Sequence, residues 1–147
     1  RQMCIRDSYE TEDLKTRIRE ITNQKGCNVV YDPVGGPYSE IALRSLGWRG
    51  RHLVVGFASG AIPKIPLNLA LLSERNIIGV FWGDWVRRNP NEHIASMNYM
   101  MELIKEGKIN PLITQTFTFD ESVAAIEHLN SRKAMGKVVI QVNSSLS

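Results

Sequence analysis

Three short glycine-bearing segments hold the residues best suited to chemistry: Asp32-Pro33-Val34-Gly35-Gly36, Gly56-Phe57-Ala58-Ser59-Gly60 and Val80-Phe81-Trp82-Gly83. Each follows an apolar run, and glycine there permits positive φ and lets a ligand come close to the backbone. Glycine also ends strands in many proteins that bind nothing at that point, so one such loop carries little meaning. Three in series make that bland reading weaker without fixing the ligand. Asp32 admits two readings, a catalytic carboxylate or a turn former; its place before Pro33 at a strand exit favours the turn. His52, His93 and His128 have no carboxylate or cysteine at triad or metal-ligand spacing and read as surface or structural residues. Met97, Met100 and Met101 read as helix packing. Cys4 and Cys27 offer neither a CxxC pair nor a disulfide framework.

Familiar catalytic signatures are missing. The sequence has no GxGxxG after a strand, no Walker A lysine loop, no GxSxG elbow and no HExxH helix. A phosphate-cradling turn is therefore not encoded, and no residue stands out as a general acid or base.

The elements that must position these loops alternate. Leu14, Ile18 and Ile21 give helical spacing, with Thr11 as a candidate cap and Glu12 and Asp13 in the first turn. Residues 27–31 form a short apolar strand, and Pro37 then opens a helix carrying Ile41, Ala42 and Leu46 that stops at Gly47. After a turn at Trp48-Arg49-Gly50-Arg51 comes a second apolar strand, 52–56. A short helix over about 67–74, a third strand over 76–81, an amphipathic helix through Ile94, Met97, Met101 and Ile104, and an alternating stretch from 112 to 119 follow. Asp120 starts another helix, and residues 137–142 form the last strand. Continuous apolar strands separated by helices predict an α/β chain with a parallel sheet, covered on both faces and joined by right-handed crossovers. In such sheets ligands bind beyond the carboxyl ends of the strands, where the three loops fall.

Composition narrows the class. With 147 residues, 43% hydrophobic and 22% charged, the chain has the make-up of a globular domain. The net charge of +3 is dispersed, Arg87-Arg88 and Arg132-Lys133 being the adjacent basic pairs of its interior, so a nucleic-acid partner is not expected. No apolar run reaches the roughly 20 residues that span a bilayer. A cytoplasmic, reducing setting is expected. Residues 1–8 (RQMCIRDS) lack periodicity and read as a non-native tail.

Taken in order, the loops carry a resemblance. Val29-Val30-Tyr31-Asp32-Pro33-Val34-Gly35-Gly36, Leu43-Arg44-Ser45-Leu46 to Gly50-Arg51, Val54-Val55-Gly56-Phe57-Ala58-Ser59-Gly60, Ile62-Pro63, Asn68-Leu69, Gly79-Val80-Phe81-Trp82-Gly83 and Gly136-Lys137-Val138-Val139 resemble the zinc-independent quinone oxidoreductase (zeta-crystallin-like) branch of the medium-chain dehydrogenase/reductase superfamily. The likeness runs from about Tyr9 to Val142.

The resemblance implies the later half of a Rossmann-type, doubly wound parallel sheet over 9–111. Residues 112–147 would return to a GroES-like catalytic domain. It implies NADPH as cofactor, with NAD an alternative, no metal, a small electrophilic substrate such as a quinone, and a homodimeric parent. Residue by residue, it places Val34 and Gly35 beside the adenosine ribose, and Gly56, Phe57 and Ser59 at the nicotinamide end. Val80 and Trp82 would offer backbone groups to the carboxamide, and Arg132 would be a late basic contact, with Lys137 as its rival. Phe57 and Trp82 as core aromatics, and Arg132 as a solvated charge, are the structural alternatives. Catalytic residues would lie upstream. Other readings are a non-catalytic module pairing through strand 76–81, or a segment of a zinc-type alcohol dehydrogenase or enoyl reductase. An isolated chain of this kind is expected to be inactive.

Overall fold

A computed structural model describes residues 12–131 and 134–142. The chain divides into two units, the first ending at Arg88 and the second beginning at Asn89.

In the first unit, helix α1 (Leu14–Ile21) leads to strand β1 (Cys27–Asp32), α2 (Pro37–Arg44), β2 (Leu46–Val54), α3 (Asn68–Leu71), β3 (Asn76–Gly79) and α4 (Trp82–Arg88). Asp13 caps α1, its Oδ1 accepting the Thr16 N–H at 2.8 Å. That places the cap two residues later than Thr11, where a carboxylate meets an orphan donor and the positive end of the helix dipole together. The strands form one parallel sheet in the order β1-β2-β3. Val30 pairs with His52 and Asp32 with Val54, while Leu53 pairs with Ile78 and Val54 with Gly79. The carboxyl ends of all three strands therefore finish at one edge.

β2 starts earlier than the sequence pattern suggests. Leu46 already pairs with Cys27, and the register shifts before Val29 meets Arg51. The residues read as a turn lie in this irregularity, where Arg49 takes φ 56 and its guanidinium pairs with Glu74 at 2.7 Å. A bulge accommodates extra residues without ending the strand. α2 is correspondingly shorter, and Leu46 belongs to the strand rather than to the helix.

The core of this unit is Leu43, Leu46 and Leu69, with Cys27, Val30 and Ile65 packed against it. Arg75 ties it together by donating from Nε and Nη2 to the Leu46 carbonyl and from Nη1 to that of Leu69. Cover is incomplete: Val29, Tyr31, Ile77 and Ile78 are exposed, whereas continuous apolar strands lead one to expect shelter on both faces.

The second unit holds α5 (Pro90–Lys105), β4 (Ile113–Thr118), a 3-10 turn (Phe119–Glu121), α6 (Ser122–Asn130) and β5 (Lys137–Gln141). β4 and β5 pair in parallel across α6, and the Phe117 and His128 rings lie 6.0 Å apart where that helix meets the sheet. The Glu121 carboxylate accepts from both the N–H and the hydroxyl of Thr118, so a capping box rather than Asp120 alone begins this helical stretch. Among the described residues no helix is long and apolar enough to cross a membrane.

Candidate functional site

The exits of β1 and β2 interlock. From the first, the Pro33 and Val34 carbonyls accept the N–H groups of Ala58 (3.0 Å) and Ser59 (2.9 Å); in return Gly36 donates its N–H to the Ala61 carbonyl at 3.0 Å. Val55 and Gly56 both donate to the Asp32 carbonyl, and Val80, just past β3, donates to Val54 at 2.9 Å. The three strand ends and two of the loops thus form one continuous ledge.

Glycine is required at two points of this ledge. Gly35 has φ 70, and a Cβ there would stand 2.7 Å from Cδ1 of Phe57. Gly36 has φ 62 and ψ −141, and its Cβ would stand 2.5 Å from the Ser59 hydroxyl oxygen. The backbone turn and the Phe57 and Ser59 side chains therefore share space that any larger residue would take.

Asp32 anchors the turn from beneath. Its Oδ1 accepts the N–H groups of Val34 (3.0 Å) and Gly35 (2.9 Å), and its Oδ2 accepts the Ser39 hydroxyl at 2.6 Å. Nε2 of His52 lies 3.1 Å from the same Oδ2. Burial alone would push this carboxyl up, but the donors at Gly35, Ser39, Val34 and His52 outweigh it and hold the pKa below its ordinary value. The turn-forming reading of Asp32 is the one the geometry bears out. A carboxylate with four donors around it is held, not poised to move protons.

Val34, Gly35, Gly56, Phe57 and Ser59 are brought together by this interlock. Val80 joins them at the neighbouring strand end, its N–H already committed to Val54. Trp82 is the exposed first residue of α4, so that Trp82 and Gly83, expected in the strand-exit loop, open a helix instead. Arg132 lies outside the described residues. Ser39 and His52 were not singled out as partners of Asp32. The signal is faint: a hydroxyl seven residues along, in the first turn of α2, and a histidine on the adjacent strand become neighbours of Asp32 only once the loop and the parallel register are set.

Much of the ledge's donor capacity is internal, since the N–H groups of Val34, Gly35, Gly36, Val55, Gly56, Ala58, Ser59, Gly60 and Val80 all find protein acceptors. This is a poor cradle for a pyrophosphate, which needs free N–H groups. The Phe57 ring beside it is half-exposed. Among the described residues no three His, Cys, Asp or Glu side chains gather where they could hold a metal ion.

Residues 2–140 match the family described as zinc-binding dehydrogenase. Quinone oxidoreductase-like protein 2 homolog of Nematostella vectensis is 35% identical over 133 residues, which are 90% of this chain and 36% of that protein. Quinone oxidoreductase-like protein 2 of Bos taurus is 36% identical over 135 residues, 92% of this chain and 39% of that one. Among solved structures, Escherichia coli quinone oxidoreductase complexed with NADPH superposes with a TM-score of 0.72 at 28% identity, covering 91% of this chain and 42% of the other. The chain thus spans less than half the length of each of these relatives.

Proposed function

The chain belongs to the zinc-binding dehydrogenase family, in its quinone oxidoreductase branch, and on that premise we propose that it supplies the later half of the dinucleotide fold of an NADPH-dependent reductase. The reaction is hydride transfer to a quinone or another electron-poor double bond. One observation carries the reading: the interlocked ledge at the carboxyl end of a parallel sheet, which is where open α/β sheets bind their ligands.

A reduced nicotinamide bound there would supply the hydride. The chain's own part is binding and orientation, worth a large share of the barrier when two reactants are held in line. Because Gly35 packs on Phe57 and Val34 bonds to Ser59, all four serve the same end of the cofactor, nicotinamide and its ribose. That differs from the two separated ends the family likeness suggests for them. Gly56 permits the close approach of the β2 exit, and Val80 offers its carbonyl. Trp82 and Arg132 are proposed as outer contacts, NAD as the alternative cofactor, and the cytoplasm as the setting.

The test uses the longer polypeptide that carries this chain behind its N-terminal half. Quinone-dependent, saturable loss of reduced-nicotinamide absorbance is expected. Failure of that polypeptide to bind or oxidise NADPH with any quinone or enone would contradict the proposal.

A second reading concerns assembly. β3 pairs only with β2 among the described residues and its four residues are exposed, so its outer edge can pair with the same strand of a second copy about a two-fold axis. A homodimer follows on this reading, with or without catalysis.

A further inference from the structure

His52 is the least expected residue in the first unit. It is 1% exposed, sits in the middle of a parallel sheet between Val30 and Ile77, and its Nδ1 has no partner among the described residues. A buried ring nitrogen without a partner is a cost that an apolar residue of similar volume would not carry. What the imidazole contributes in return is its other nitrogen. A carboxylate only accepts, so Nε2 must hold the proton and donate it to Oδ2 of Asp32.

We propose that His52 and Asp32 are positioning residues for the dinucleotide: the buried pair locks the β1 exit turn in the one shape onto which the β2 exit loop docks. The inference rests on the functional reading above and deepens it. The chain of contacts is short. Nε2 of His52 and the Ser39 hydroxyl fix Oδ2; the other oxygen then faces the Val34 and Gly35 N–H groups. With those held, the Pro33 and Val34 carbonyls point at Ala58 and Ser59. Loss of one donor at Oδ2 frees the carboxylate to turn, and both loops loosen together although neither touches His52 in this scheme. Neither residue reaches the ligand, so the effect falls on binding rather than on the hydride-transfer step.

The experiment compares His52→Leu, His52→Gln and His52→Asn in the longer polypeptide. A glutamine amide nitrogen reaches the place of Nε2 and an asparagine amide only that of Nδ1, so Gln restores the donor while Asn does not. KM for NADPH is expected to rise about tenfold or more in the Leu and Asn variants, the scale of one hydrogen bond to a charged group. kcat should stay within about twofold, as expected when uniform binding is what is lost, and Gln should stay close to the unmutated protein. Amide hydrogen exchange at Ala58 and Ser59 is expected to quicken in the same two variants and not in Gln. If Leu does not fold, the Gln and Asn pair makes the comparison alone. Equal behaviour of Gln and Asn in both readouts, or unchanged exchange in all three, would overturn the lock. Absence of NADPH binding in the unmutated protein would instead retire the functional reading, and the exchange arm would still decide whether the pair holds the loops.

Discussion

His52 and Asp32 sit on neighbouring strands, 20 residues apart in sequence, and meet with Nε2 3.1 Å from Oδ2. Both are buried, and the Asp32 carboxylate, between His52 and Ser39, is the point from which the loops of the candidate site are hung.

That carboxylate makes the site acid-sensitive. The folded pKa of Asp32 lies below its ordinary value of 3.8, so its stabilising contribution is complete above that pH. It is lost as pH falls through the lowered folded value. Protection of the Ala58 and Ser59 amides, taken relative to intrinsic exchange at each pH, is expected to be constant through neutral pH and to fall only below about pH 4. Asp32→Asn should remove that pH dependence while lowering protection at every pH, because its NH2 cannot accept from Ser39 and His52. Asp13 and Glu121 are also held low, by hydrogen bonds to Thr16 and Thr118, so some acid loss of helix will persist in the variant. A midpoint near neutrality would contradict this account.

The two glycines should tolerate substitution unequally. Gly35→Ala places a Cβ against the Phe57 ring at φ 70, whereas Gly36→Ala meets Ser59 at φ 62 and ψ −141, a region close to glycine-only. Each is expected to cost roughly 1–3 kcal/mol, with Gly36→Ala the worse. Denaturant unfolding of the longer polypeptide measures the difference, and Ser59→Ala should relieve part of the Gly36→Ala loss. No loss in either variant would show that the loops are not interlocked as described.

Core and edge give two further tests. Leu43 is completely buried in a small cluster, so Leu43→Ala should cost about 2–5 kcal/mol of unfolding free energy. A change under about 1 kcal/mol would mean the core lies elsewhere.

At the β3 edge, Ile77→Lys should halve the mass of the longer polypeptide in light scattering if a second copy pairs there, because a charge on an edge strand opposes pairing. A mass that is already monomeric in the unmutated protein would contradict the dimer.

The chain on its own should behave differently from the longer polypeptide. β1 pairs only with β2 among the described residues, and Val29 and Tyr31 are exposed on a strand with neither proline nor a charge before Asp32. A cavity of about 200 Å³ beside it is lined by apolar side chains including Leu14, Ile18, Val30 and Tyr38. The 147-residue chain is therefore expected to self-associate or stay partly molten, and to order when the N-terminal half is supplied. A soluble monomer with one cooperative thermal transition would refute this.

Much of the fold was legible because apolar runs and glycine stops are local signals. β1, the three strand exits and the parallel order follow from residues 27–31, 52–56 and 76–81, and Pro37 opens a helix as its fixed φ dictates. What was not legible depends on partners distant in sequence. α4 begins at Trp82-Gly83, weak helix formers, and is held by Asp84 reaching Arg87 and Arg88 on the next turn. β2 runs through a bulge that reads as a turn because Arg49 is paired from Glu74. His52 looked like a strand-end residue until the register put it over Asp32.

An NADPH titration of the longer polypeptide, followed by backbone amide resonances, decides whether the ledge binds the cofactor. Saturable shifts are expected, concentrated at Val34, Gly35, Gly56, Phe57, Ser59 and Val80. Saturable binding that leaves these six unmoved, or no binding at all, would show that the ledge is not the site.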